Sequence, residues 1–167
     1  RKGKGFSLQK GFVYALEKGY RGIITMDGDG QHAVADLDIF IEKIKQFPQD
    51  VVTGNRMQTP KGMPWVRFLT NRFMSGLISF LCKQHIPDTQ CGYRYISRDV
   101  LQHLYLTSAD FEIETEVLVQ ASRLGHKIIS VPIQTIYRDE KSKIHPVKDT
   151  IRFLKYLMKS GRPSKGA

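Results

Sequence analysis

A short apolar run that stops at two aspartates constrains this chain more than any other feature. Gly22 to Met26 is apolar and rich in β-branched residues, and Asp27-Gly28-Asp29-Gly30-Gln31-His32 follows without a break. In an α/β protein, ligands bind beyond the carboxyl ends of the strands, so a buried strand that ends in carboxylates marks a site. Alternate residues of an extended segment share a side, which lets Asp27 and Asp29 converge on one cation. Gly28 and Gly30 ease a sharp turn and let a ligand approach the backbone. Hard oxygen ligands suit Mg²⁺ or Mn²⁺, and Mg²⁺ commonly takes one or two protein carboxylates together with substrate phosphates. The plain alternative is a strand followed by an Asp/Gly turn. The preceding strand and the polar Gln31-His32 continuation favour a metal-bound phosphate ligand.

The surrounding segments place that strand in a sheet. Leu8, Phe12 and Leu16 recur at helical spacing and Gly19 offers a stop, which predicts an amphipathic helix over Gly5 to Lys18. Asp36 is positioned to cap a second helix with Leu37, Ile41 and Ile44 inward, ending before Pro48. Val51-Val52-Thr53 reads as a second buried strand running into Gly54-Asn55-Arg56. Helix, strand, helix, strand is the rhythm of a parallel sheet. It brings Arg56 to the same edge as the aspartates, either as a surface arginine or as an anion contact.

Gln58 to Pro64 is a Pro/Gly loop and a candidate mobile lid. From Trp65 to Lys83 a helix is predicted, with Trp65, Leu69, Phe73, Leu77 and Phe80 as a core stripe. Arg67, Asn71, Arg72 and Ser75 lie off that stripe and are candidates to face a ligand. Asp88 to Arg94 is polar and irregular, and a short helix follows from Arg98 to Leu104. A helix over Phe111 to Leu124 opens with Glu112, Glu114 and Glu116. Stabilisation of the helix dipole is the simplest account of those acids; Glu112 and Glu116 share a face, while Glu114 projects elsewhere. Lys127 to Val131 reads as a strand interrupted by Pro132 and continued as an edge to Tyr137. The last helix starts at Pro146, with Ile151, Leu154, Leu157 and Met158 on its apolar side. Its cationic side would pack on the domain or lie at a membrane surface. Residues 1–160 read as one domain and 161–167 as a disordered tail.

Composition narrows the partners. A chain of 167 residues with 41% hydrophobic content supports a core, and no apolar run approaches the roughly 20 residues that span a bilayer. No signal-peptide pattern opens it, and Cys82 and Cys91 make no disulfide framework, so a cytoplasmic setting is expected. The net charge of +10 fits nucleic acid, an anionic membrane face or a polyphosphate. No nucleic-acid motif accompanies it, which leaves phosphate or peripheral membrane contact.

Six motifs occur in order: Lys2-Gly3-Lys4-Gly5, Asp27-Gly28-Asp29-Gly30-Gln31-His32, Gly54-Asn55-Arg56, Asn71-Arg72, Asp88-Thr89-Gln90-Cys91-Gly92 and Phe111-Glu112-Ile113-Glu114-Thr115-Glu116. Together they resemble the polyprenyl-phosphate glycosyltransferases of the dolichol-phosphate mannosyltransferase type, inverting transferases of family 2 with the GT-A fold. The resemblance runs from Lys2 to about Met158. It implies an α/β, Rossmann-like, mostly parallel sheet with helices on both faces. The family's opening βαβ portion, whose Asn-Glu pair and Asp-Asp-Gly segment hold base and ribose, has no counterpart in these residues. Nucleotide binding by this stretch alone is therefore not expected.

Carried over by matching motif, Asp27 and Asp29 resemble the family's metal and nucleotide-sugar aspartates, with Gln31 as a further metal ligand and Lys4 on the donor side. Arg138 resembles the arginine that meets the donor diphosphate. Arg56 and Arg72, with Ser75, resemble the residues that hold the lipid phosphate, and Asp88 and Glu116 match positions lining the acceptor side. The implied reaction moves a hexose from a GDP-mannose- or UDP-glucose-type donor to polyprenyl phosphate, assisted by Mg²⁺ or Mn²⁺. A lipid phosphate is already anionic, so orienting arginines matter more than a base; with a hydroxyl acceptor, Asp88 would be the candidate base. Two rivals stand beside this reading: a haloacid-dehalogenase-type phosphatase, which also places Asp-x-Asp after a strand, and a non-catalytic basic membrane-binding module.

Overall fold

The computed structural model describes residues 3–60, 62–108 and 112–134. The expectations for Arg138, for the edge at 135–137, for the last helix and for the tail lie outside them.

Helix α1 (Lys4–Glu17) buries Phe12 and Ala15, and Leu8 and Leu16 pack beside them. Gly19 then adopts φ +73°, and the amide of Tyr20 donates back to the Ala15 carbonyl. This reversal at a left-handed residue delivers the chain into strand β1 (Gly22–Thr25). Helix α2 (Asp36–Gln46) leads to β2 (Val51–Asn55), helix α3 (Trp65–Cys82) to β3 (Arg94–Ser97), and the short α4 (Arg98–Leu101) and α5 (Glu112–Arg123) to β4 (Ile128–Pro132). Pro132 closes β4, opposite Asn55, instead of interrupting it.

The sheet order is β1-β3-β2-β4. β2 and β4 pair in parallel, whereas β3 runs antiparallel between β1 and β2, with Tyr95 opposite both Ile24 and Val52. β1, β2 and β4 thus point the same way, as the helix–strand rhythm requires, and β3 is the inserted exception. Successive residues of a strand face opposite sides. Val51 accordingly joins the cluster of α1, α3, α4 and α5 on one face, and Val52 joins Phe40, Tyr93 and Val131 on the other. Helices cover both faces, as expected.

Two helix phases differ from the sequence reading. In α2 the fully buried residue is Phe40, stacked on Tyr93 with ring centroids 4.1 Å apart, while Ile41 is exposed. Asp36 does not cap this helix: its Oδ2 accepts the Gln134 amide at 3.0 Å and ties α2 to the chain beyond β4. In α3 the buried face is Asn71, Met74, Ser75, Ile78 and Cys82, packed toward Val117 and Leu118 of α5. Most of the expected core stripe is turned away, with Trp65 69%, Phe73 65% and Phe80 79% exposed, while Leu77 packs against the core. Side-chain size suggested a core face, but the position of α5 and of the 86–89 loop selects the face with small and polar members.

Candidate active site

The strand directions gather chemistry at one edge. β1 ends at Thr25, β2 ends at Asn55, and β3 begins just after the 88–92 loop. Thr25 Oγ1 donates to the Gly92 carbonyl at 2.9 Å, which ties the exit of β1 to that loop. Asp27 then lies directly on Gly92. A Cβ added at Gly92 would stand 2.7 Å from Asp27 Cγ, so this contact needs a residue without a side chain.

Three separate elements meet at Asp27. Lys4 Nζ, from the first residue of α1, donates to Asp27 Oδ1 at 2.5 Å and to Glu114 Oε1, on α5, at 2.7 Å. All three side chains are largely buried, at 26% exposure for Lys4, 29% for Asp27 and 14% for Glu114. Burial alone would lower the Lys4 ammonium, but the Glu114 and Asp27 charges outweigh it and raise its pKa. The neighbouring His32 ring and then Lys4 hold the Asp27 carboxyl well below the ordinary carboxylate range, against the opposing effect of burial. His32 Nε2 stands 3.5 Å from Asp27 Oδ2. That is too long for a full hydrogen bond, and neither buried ring nitrogen has a hydrogen-bond partner among the described residues. Lys4 is therefore the firmer partner of Asp27.

Asp29 has different surroundings. It is exposed, and its Oδ1 accepts the Gln31 amide at 3.0 Å, which closes its own turn. No group of three His, Cys, Asp or Glu residues suited to a metal comes together among the described residues. Of the two aspartates that the spacing pairs, Asp27 is held by Lys4 and Asp29 by the amide of its own turn. What the site does hold is a cation, the Lys4 ammonium, between two carboxylates. Hard oxygen donors around a positive charge fit Mg²⁺ or Mn²⁺ when substrate phosphates complete the set.

The acceptor-side candidates separate into exposed and enclosed residues. A groove of about 690 Å³ runs beside α3, lined by Asn55, Phe68, Arg72, Ser75 and His85 among others. Arg72 is exposed within it. Ser75 is 3% exposed, and its Oγ accepts the Thr89 amide at 2.9 Å, so the hydroxyl expected to hold a phosphate is engaged in pinning the 88–92 loop. Arg56 and Asp88 lie behind the groove wall as a buried pair. Arg56 Nε donates to Asp88 Oδ2 at 2.7 Å and Nη2 to Oδ1 at 3.0 Å, and the Arg56 and Gln90 amides donate as well. Burial would raise the Asp88 carboxyl, but the Arg56 guanidinium prevails and holds it below its usual value.

In this geometry three of the candidate residues are engaged by partners within the chain. Asp88, with no exposed surface and both oxygens occupied, is not placed to act as a base. Arg56 fixes the loop through Asp88. Glu116 is 2% exposed, and its carboxylate accepts the Thr107 and Ser108 amides at 3.0 and 2.9 Å, so it secures that turn and does not line the acceptor.

Two residues that sequence reasoning passed over matter here. Glu114 fits the helix dipole by sequence alone, although its two-residue offset from Glu112 and from Glu116 is the visible sign of a different face. Arg94 is 2% exposed and donates to the carbonyls of Cys91, Thr89 and Glu114 at 2.7, 2.6 and 2.5 Å. It joins the loop under Asp27 to the helix that carries Glu114. Its only signal in the sequence was an arginine at the start of an otherwise apolar strand.

The chain resembles known proteins over most of its length. The family model described as Glycosyl transferase family 2 matches residues 1–105. A UDP-N-acetylglucosamine–dolichyl-phosphate N-acetylglucosaminyltransferase of Methanococcus voltae is 32% identical over 143 residues, covering 83% of this chain and 57% of that protein. A polyprenol monophosphomannose synthase of Mycolicibacterium smegmatis is 27% identical, covering 82% of this chain and 54% of that protein. An undecaprenyl-phosphate mannosyltransferase of Micrococcus luteus is 28% identical, covering 82% and 58%. The chain thus spans somewhat more than half the length of these three relatives.

Proposed function

The chain belongs to glycosyl transferase family 2, and from that premise we propose that the protein containing it transfers a hexose from a nucleoside-diphosphate sugar to a polyprenyl phosphate with inversion. The carrying observation is the shared sheet edge, where Asp27 lies beside Lys4 and Glu114 while Arg72 opens into the neighbouring groove. Family membership sets aside the phosphatase and binding-module readings.

In this reading Asp27, with Asp29 and Gln31 on the adjoining turn, would hold Mg²⁺ or Mn²⁺ beside the donor diphosphate. A divalent ion bound there supplies neutralisation of the charge that develops on the leaving diphosphate. The acceptor phosphate oxygen forms the new bond to the anomeric carbon as the bond to the diphosphate breaks. An acceptor whose second pKa is near that of a phosphomonoester, about 6, is already anionic at neutral pH and needs no base. The enclosure of Asp88 agrees with that economy. Arg72 orients the phosphate; its fixed charge and planar fork suit it to anion recognition.

Named relatives act on dolichyl, polyprenol and undecaprenyl phosphates, which supports a lipid acceptor of that class. Exposed Trp65, Leu69 and Phe73 on the helix that carries Arg72 support a peripheral seat at a membrane surface. No described helix is long and apolar enough to cross a membrane.

The test is Arg72→Ala in the complete protein. Loss of a charge-assisted contact, worth about 1.5–3 kcal/mol, should raise KM for polyprenyl phosphate at least about tenfold and leave that for the nucleotide sugar nearly unchanged. Equal weakening of both substrates would remove Arg72 from the acceptor site.

A further inference from the structure

We propose that Lys4 is a tethered cation: shared with Glu114, it neutralises Asp27 while no divalent ion is bound there, and it gives way when one arrives. The inference rests on the metal reading given above and deepens it.

The geometry comes from three distant parts of the chain. Lys4 opens α1, Asp27 follows β1 and Glu114 lies in α5, yet one ammonium touches both carboxylates at 2.5 and 2.7 Å. Two partly buried carboxylates held this close require a positive charge between them. Mg²⁺ seats oxygen ligands at about 2.0–2.1 Å, so an ion that takes Asp27 Oδ1, the oxygen Lys4 holds, leaves the ammonium no room beside it. The departing ammonium remains on the first residue of a helix beside the donor side, where a diphosphate would take it up as a charge-assisted partner. This reconciles the sequence expectation, which put Lys4 with the nucleotide sugar, with its observed place on the metal-site acid. It also gives Glu114 a role: it shares the ammonium with Asp27 and thereby fixes where the cation stands.

The consequence is that Lys4 competes with the ion and makes its affinity moderate. In Lys4→Met, which keeps length and loses charge, Mn²⁺ binding followed by electron paramagnetic resonance of the complete protein should tighten by about tenfold or more, the scale of one charge-assisted contact. The variant's melting temperature without ion should fall, and Mn²⁺ should restore it by a larger increment than in the wild type. Lys4→Arg, which keeps the charge, should not tighten binding. A second measurement needs no variant: the rate of Lys4 acetylation in the wild-type protein, read by mass spectrometry, should rise on adding Mn²⁺ alone.

Unchanged or weaker Mn²⁺ affinity in Lys4→Met, or an acetylation rate indifferent to Mn²⁺ that the wild type demonstrably binds, would overturn the tethered-cation role and leave the metal reading standing. Absence of Mn²⁺ binding in wild type and Lys4→Met alike, with nucleoside diphosphate present, would overturn both.

Discussion

Replacing Asp88 by asparagine separates a structural carboxylate from a catalytic one. The side chain has no exposed surface and accepts four hydrogen bonds, three of them from Arg56, which is itself 4% exposed. Asparagine keeps the shape but cancels the charge and turns an amide hydrogen toward a guanidinium. Breaking a buried ion pair from one side costs about 3–5 kcal/mol because the surviving charge is left uncompensated. For a chain of this size each kcal/mol moves the melting temperature by about 2–4 °C, so a fall of roughly 6–20 °C is expected. Urea titration should show the midpoint falling with the slope unchanged.

The pH dependence carries a sign. Asp88 is held below its ordinary pKa in the fold, so its contribution is complete above the unfolded carboxylate value of about 3.9 and is lost as pH falls through the folded value. The stability gap between wild type and Asp88→Asn should therefore be full at pH 7 and close only below about pH 4. Residual sugar transfer, measured well below the melting temperature, should keep the wild-type pH profile. An Asp88→Asn protein that unfolds at the wild-type urea concentration, or one that is stable yet loses the acid-side limb of the pH–rate profile, would refute this reasoning and restore Asp88 as a base.

Two further substitutions probe the supports of the site. Gly92→Ala puts a methyl group against Asp27 and should lower turnover by about a hundredfold, the scale of a 1 Å misplacement, with the circular-dichroism melt little changed; full activity would show that Asp27 does not depend on this contact. Glu116→Gln weakens the anchor of the Thr107 and Ser108 amides and should cost about 1–3 kcal/mol, with hydrogen exchange accelerated at those two positions; unchanged protection there would contradict the anchoring role.

Local pattern reached far in this protein. The repeat of Leu8, Phe12 and Leu16, the stop at Gly19, and the β-branched runs before Asp27 and through Val51-Val52 each encode an element through forces that act within a few residues. The ordered motifs also fall at the carboxyl ends of β1 and β2, because a strand's direction follows from the helix that feeds it. Helix phase and side-chain partnership were different matters. Phe73 and Asn71 are equally compatible with a buried face until α5 and the 86–89 loop take one side of α3. Asp36, Asp88 and Glu116 show no distant partner in sequence, yet they are claimed by groups 98, 32 and 8–9 residues away.

What the residues determined unaided was therefore the succession of elements and the sheet edge at which Asp27 and Asn55 stand, since hydrophobic periodicity and turn chemistry are short-ranged. What tertiary structure alone decided was which charges pair. Lys4 finds Asp27 and Glu114 across 23 and 110 residues of chain. A carboxylate's role depends on the burial and the counter-charge that folding brings to it, and neither is a property of its neighbours in sequence.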